Sequence, residues 1–275
     1  MSLQQTTKGT TSKATRFIFV LLVLCTLGAE NPLPPQVESI TDVPHPEAIE
    51  EPDTGIGKAD ASANRNEPVI CLSPGHPSYD GDKYYEAVIN RKVAWLLKYR
   101  LVETGYAVAM AVEDLMPTEL FFSNQGNEDE VLWENLTVMT PEEKANRCND
   151  AGADFVISIH HNYSYHVETN QTMVFYTLDD VYRPVHKEAK TWAETTAEYL
   201  GKVMKTSDSY AIADMERLGF QLGILSNSNA PGILTEASFY SNPEERRRLN
   251  DDTYLIDEAE AIFRAFVAHF ENTVQ

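Results

Sequence analysis

The chain has 275 residues, 43% of them hydrophobic, enough for one sizeable α/β domain with appendages. Lys and Arg number 22 against 42 Asp and Glu, a formal charge of −20 at pH 7. That balance excludes a phosphate-driven nucleic-acid binder, whose affinity needs clustered cations, and argues against simple electrostatic adhesion to anionic membranes.

Residues 1–29 read as a signal peptide. Lys8, Lys13 and Arg16 precede the apolar run Phe17–Leu24, and small residues follow it. The run is shorter than the roughly 18 residues of a spanning helix, so export without stable membrane insertion is expected. The destination is periplasmic or extracellular. Leu24 stands before Cys25, where a lipidation site wants a small residue. Residues 30–66 form a Pro- and acid-rich linker with no sustained periodicity, and residues 67–275 form the folded domain. Its two cysteines, Cys71 and Cys148, are too few for a disulfide scaffold. Each lies among apolar neighbours and reads as a small buried hydrophobe, with pairing a minor alternative in an exported chain.

Within the domain, strand and helix patterns alternate. Residues 68–73 (PVICLS) form a short apolar strand that runs into Pro74-Gly75-His76. Ile89, Val93, Leu96, Leu97 and Leu101 mark a helix over 84–103, stopped by Gly105. A second strand spans 106–112, and residues 113–140 are a long, mostly polar insertion. Thr140-Pro141-Glu142-Glu143 starts the next helix, with a cap, a proline in the first turn and acids at the positive end. The central stretch, ADFVISIHHN over 153–162, is a strand apolar on both faces that ends in His160, His161 and Asn162. A strand at 172–177, a helix at 187–205, an ambiguous stretch at 208–229, a strand at 232–237, a second clear helix start at Asn242-Pro243-Glu244-Glu245 and a closing amphipathic helix at 252–270 complete the chain. The pattern predicts an α/β fold: a single three-layer domain with a mostly parallel or mixed central sheet flanked by helices.

Three strands end in residues able to do chemistry. His76 follows the first, His160 ends the central one and Glu236 lies in the late one, while Glu86 opens the helix after the His76 loop. Ligands of open α/β sheets sit beyond the carboxyl ends of parallel strands, so these residues can converge. Two imidazoles and a carboxylate are a hydrolytic zinc set, and a further carboxylate can take the proton of an attacking water. Neighbouring strand residues face opposite ways, so only one of His160 and His161 can enter such a site; His160 is the choice, with His161 beside or behind it. A carboxylate in the apolar setting of Ile233, Leu234, Ala237 and Phe239 is costly unless it has work to do, which singles out Glu236. His166, His186 and His269 read as exposed.

CLSPGH, Glu86 with Asn90, SIHHN and ILTEASFYSNPEE, in this order, resemble the zinc-dependent N-acetylmuramoyl-L-alanine amidases of the third amidase family. The resemblance spans residues 68–270. It implies zinc held by His76, Glu86 and His160, a catalytic Glu236, and substrate or supporting roles for His161 and Asn162. The implied partner is peptidoglycan, cut between N-acetylmuramic acid and L-alanine of the stem peptide. No activator is indicated, and a monomer is expected. Pro77-Ser78-Tyr79-Asp80 departs from the glycines usual after Gly-His, and Lys144 stands where an Arg is usual. The alternatives are a zinc peptidase or N-acylamino-acid amidohydrolase of the same fold, and a non-catalytic wall-binding protein.

Overall fold

Apolar runs without alternation need cover on both faces, and those at 69–74 and 155–162 obtain it as adjacent parallel strands. The structure, a computed structural model, describes residues 68–76, 82–112, 139–178 and 188–273. The signal and linker expectations at 1–66, most of the insertion at 113–138, and His186 lie outside these residues. Strands β1 (Val69–Pro74), β2 (Ala107–Met110), β3 (Phe155–Asn162), β4 (Thr172–Tyr176), β5 (Ser209–Ala213) and β6 (Gly232–Phe239) form one sheet in the order β2-β1-β3-β6-β4-β5. Neighbours run parallel except β4, which is antiparallel to β6 and parallel to β5. The sheet is therefore mixed, and with helices on both faces it is the expected three-layer α/β architecture.

The helices are α1 (Asp82–Glu103), α2 (Pro141–Asp150), α3 (Ala189–Val203), α4 (Asp214–Leu218), α5 (Gly223–Ser226), α6 (Pro243–Arg248) and α7 (Asp252–Thr273). Strand alternation sorts the core into two layers. Ile70, Leu72, Ile157, Ile159 and Ile233 face α1, α3 and α7, packing with Val93, Leu97, Trp192 and Phe266. Cys71, Val156, Met173 and Leu234 face the other way, with Cys148 of α2 and Ile224 and Leu225 of α5.

The predicted caps form. Thr140 Oγ1 accepts from Glu143 N while the Glu143 carboxylate accepts from Thr140 N, a reciprocal capping box behind Pro141. Asn242 caps α6 by accepting from the backbones of Glu244 and Glu245. Gly105 adopts φ 97° just beyond α1, a backbone that a residue with a side chain would resist.

Two expectations need correction. Cys71 and Cys148 are not independent buried thiols: they form a disulfide, 5.5 Å between Cα atoms and 77 residues apart in sequence. Both cysteines face the same core layer, so burial and pairing coincide. In the chain-entropy view, closing a loop of that length stabilises by about 4 kcal/mol. A Cys71→Ala/Cys148→Ala variant should therefore melt on the order of 10 °C lower in a calorimetric scan. His269 is not exposed: it keeps only 5% exposure and stacks on Trp192, with ring centroids 5.8 Å apart. The apolar stripe of α7 is wider than its aliphatic spacing suggests, because Trp192 of α3 extends beneath it.

Candidate metal centre

The carboxyl ends of β1, β3 and β6 lie together because the three strands are adjacent and parallel. The loop leaving β1 is fastened at three successive residues. Lys144 Nζ, buried, donates to Pro74 O at 2.7 Å, Gly75 N donates to Ile159 O at 2.8 Å, and Arg91 Nη1 donates to His76 O at 2.8 Å. His76 has φ 43°, the left-handed region that a histidine enters at a cost of roughly 1–2 kcal/mol. Backbone strain held by surrounding bonds is a mark of functional geometry. Gly75 is equally specific: a Cβ there would lie 2.3 Å from Cε1 of His160.

These constraints bring His76, Glu86 and His160 together, one ligand-capable atom of each lying within 4.8 Å of the others. Glu86 is the hub. Its Oε1 lies 3.2 Å from His160 Nδ1 and 3.7 Å from His76 Nε2. Tetrahedral ligands roughly 2.0–2.1 Å from zinc are separated by about 3.3 Å, so two edges are close to what the ion requires. The donor types, two imidazoles and one carboxylate, also suit it. Burial pushes the Glu86 carboxyl up, but the hydrogen bond and charge of His160 and the charge of His76 outweigh this and hold it below its ordinary range.

Glu236 pairs in register with His160 across β3 and β6, so both side chains project from the same face of the sheet. Just beyond the pair the register shifts, and Asn162 lies opposite Phe239. An extra residue in β6 at this point re-aims the strand end, as bulges beside active sites do. The Glu236 residue is partly exposed, yet its Oε2 is sealed from solvent and has no hydrogen-bond partner. Burial pushes the Glu236 carboxyl well above its ordinary range, and the negative charge of Glu86 adds to the rise. An unsatisfied buried carboxylate oxygen costs stability, and paired with His160 near Glu86 its setting is that of a group kept for chemistry.

His161 turns to the opposite face and is 1% exposed, with Asn90 Oδ1 2.9 Å from Nδ1 and Glu258 Oε2 3.1 Å from Nε2. Burial lowers its pKa, but the charge and hydrogen bond of Glu258 prevail and raise it. Asn162 turns back on its own chain: Oδ1 accepts from Tyr163 N at 2.8 Å. His166 is exposed, as expected. Sequence reasoning missed Arg91 and Glu258 as site-bearing residues and met Lys144 only as standing where an Arg is usual. Arg91 and Lys144 are charged side chains buried in helices, and that burial, invisible in a chain, is what marks them. Four tyrosines form a string of ring contacts that includes the residue before Glu86 and the one after Asn162. Tyr85, beside Glu86, lies 6.2 Å from Tyr240; Tyr240 lies 5.7 Å from Tyr163; Tyr163 lies 5.3 Å from the exposed Tyr165.

The family model described as N-acetylmuramoyl-L-alanine amidase matches residues 70–268, nearly the whole described domain. The chain belongs to this amidase family. Among solved structures, the N-acetylmuramoyl-L-alanine amidase of Clostridium difficile 630 is 20% identical, with a TM-score of 0.58 over 75% of this chain and 98% of that one. The amidase Ami1 of Mycobacterium smegmatis is 15% identical, with a TM-score of 0.56 over 74% and 97%. The CwlD amidase of Clostridioides difficile, solved with the GerS lipoprotein, is 21% identical, with a TM-score of 0.54 over 74% and 99%. These likenesses show that the amidase fold is shared. No curated protein matches the chain. Among the described residues of this amidase, no helix is long and apolar enough to cross a membrane.

Proposed function

We propose that this amidase is a zinc-dependent peptidoglycan hydrolase that cleaves the amide between N-acetylmuramic acid and L-alanine of the stem peptide. The observation that carries the reading is the convergence of His76, Glu86 and His160 within 4.8 Å, with Glu236 paired beside His160. His76, Glu86 and His160 hold the ion. When bound, zinc polarises the amide carbonyl and lowers the pKa of a water toward roughly 7. Glu236 accepts the proton of the attacking water at its carboxylate and delivers it to the departing alanine nitrogen. Neutralising the charge of Glu86 would let Glu236 ionise more readily by removing the smaller cause of its raised pKa, while burial, the larger cause, stays. Tyr163 and Tyr165, exposed just beyond the end of β3, offer aromatic surface suited to a sugar–peptide polymer. A cell-wall substrate calls for an extracytoplasmic location, consistent with residues 1–29 acting as an export signal and 30–66 as a tether.

The test is a digest of purified peptidoglycan read by mass spectrometry, with protein as purified, stripped by a chelator, and restored with zinc. Stem peptides bearing a free L-alanine amino group should appear in the first and third samples and vanish in the second. Intact stem peptides from a zinc-loaded protein would move the substrate to another amide, such as a small N-acylamino acid.

A further inference from the structure

Behind the cluster lies a row of three buried polar side chains, none of which reaches it as a ligand. Asn90 Nδ2 donates to Glu86 Oε1 at 3.2 Å, Asn90 Oδ1 lies 2.9 Å from His161 Nδ1, and His161 Nε2 lies 3.1 Å from Glu258 Oε2. Asn90 and Glu258 are 0% exposed and His161 1%, so no solvent can substitute for any link. The row crosses three elements, from α1 through β3 to α7. His161 also presents its backbone N to Glu86 Oε1 at 3.4 Å.

We propose that His161 and Glu258 are positioning residues for the metal ligand Glu86, acting through the Asn90 amide. This rests on the reading of His76, Glu86 and His160 as the zinc set. The argument is one of donors and acceptors. Glu86 needs a donor on the oxygen it shares with the imidazoles, and Asn90 can offer its NH2 only if its oxygen points away. Turned over, the amide would set its oxygen against a carboxylate. What holds it the right way round is a donor at Nδ1 of His161, and what holds that ring is the acceptor Glu258 on its far side. A buried histidine–carboxylate link of this kind contributes little to stability by itself, and Glu258 Oε1 is left with no hydrogen-bond partner. Its effect falls on orientation, the role that groups behind metal ligands characteristically serve.

The experiment is a zinc dissociation constant, measured by competition with a chromophoric chelator, alongside the melting temperature of the metal-free protein. Glu258→Gln should weaken zinc binding about 10- to 100-fold, the usual effect of losing a group behind a ligand. Asn90→Ala, which keeps a good helix former in α1, should do the same and carries the test should Glu258→Gln not fold. Tyr254→Phe is the control. It lies one turn before Glu258 and bonds Glu245 at 2.6 Å, so it should lower the melting temperature and leave zinc affinity alone. Zinc binding within twofold of the native value in folded Glu258→Gln or Asn90→Ala would overturn the proposal, as would an equal loss in Tyr254→Phe. His76→Ala separates the two readings: unchanged zinc affinity there would reject the ligand set itself, not the row behind it.

Discussion

Glu236→Gln is expected to lower amide hydrolysis on peptidoglycan by about 10²- to 10⁴-fold, the range for a lost general acid–base group, while zinc content stays at that of the native protein. The substitution preserves shape and removes only the ability to carry a proton. Its second effect points the other way. Oε2 of Glu236 is buried without a partner, and Glu86 opposes its ionisation, so the native residue destabilises the fold. The metal-free Glu236→Gln protein should melt no lower than native. Mass spectrometry of digested muropeptides and metal analysis of the same preparation check the first effect, and a thermal scan checks the second. Full activity in the variant would remove Glu236 from the chemistry.

Gly75→Ala is expected to be nearly as damaging, through one methyl group. The new Cβ would lie 2.3 Å from Cε1 and 2.4 Å from Nδ1 of His160, distances that atoms cannot share. The loop cannot retreat easily, because Pro74 O, Gly75 N and His76 O are each tied down by Lys144, Ile159 and Arg91. The imidazole must rotate instead, and Nδ1 of His160 leaves Glu86. Zinc affinity should fall by more than the roughly 100-fold upper range for a group behind a ligand, because here a ligand itself is displaced. Circular dichroism should remain native-like. Native zinc affinity in this variant would mean that the ring has room the structure does not give it.

Much of this was legible in the chain because the strand period decides so much. His160 is separable from His161 on alternation alone, and the two do take opposite faces. Glu236 stands out as a carboxylate in an apolar strand, and the caps at Thr140 and Asn242 announce their helices. What was not legible depends on who lies across the gap. The Cys71–Cys148 bond joins residues 77 apart, and each cysteine alone looks like core. The orientation of the Asn90 amide depends on Glu258, 168 positions away, the difference of the two residue numbers. Strand β5 went unseen within 208–229 because SYAIA is short and half-buried at the sheet edge, with no clean alternation.

The disulfide gives the protein a covalent topology distinct from its linear order. Residues 71–148 form a closed ring that contains His76 and Glu86, while His160 and Glu236 lie downstream of it. A peptide bond broken anywhere within 113–138 would put His76 and Glu86 on one fragment and His160 and Glu236 on the other, yet the fragments would remain a single molecule. The protein can thus lose chain continuity there without its halves diffusing apart, until a reductant reaches the buried sulfurs.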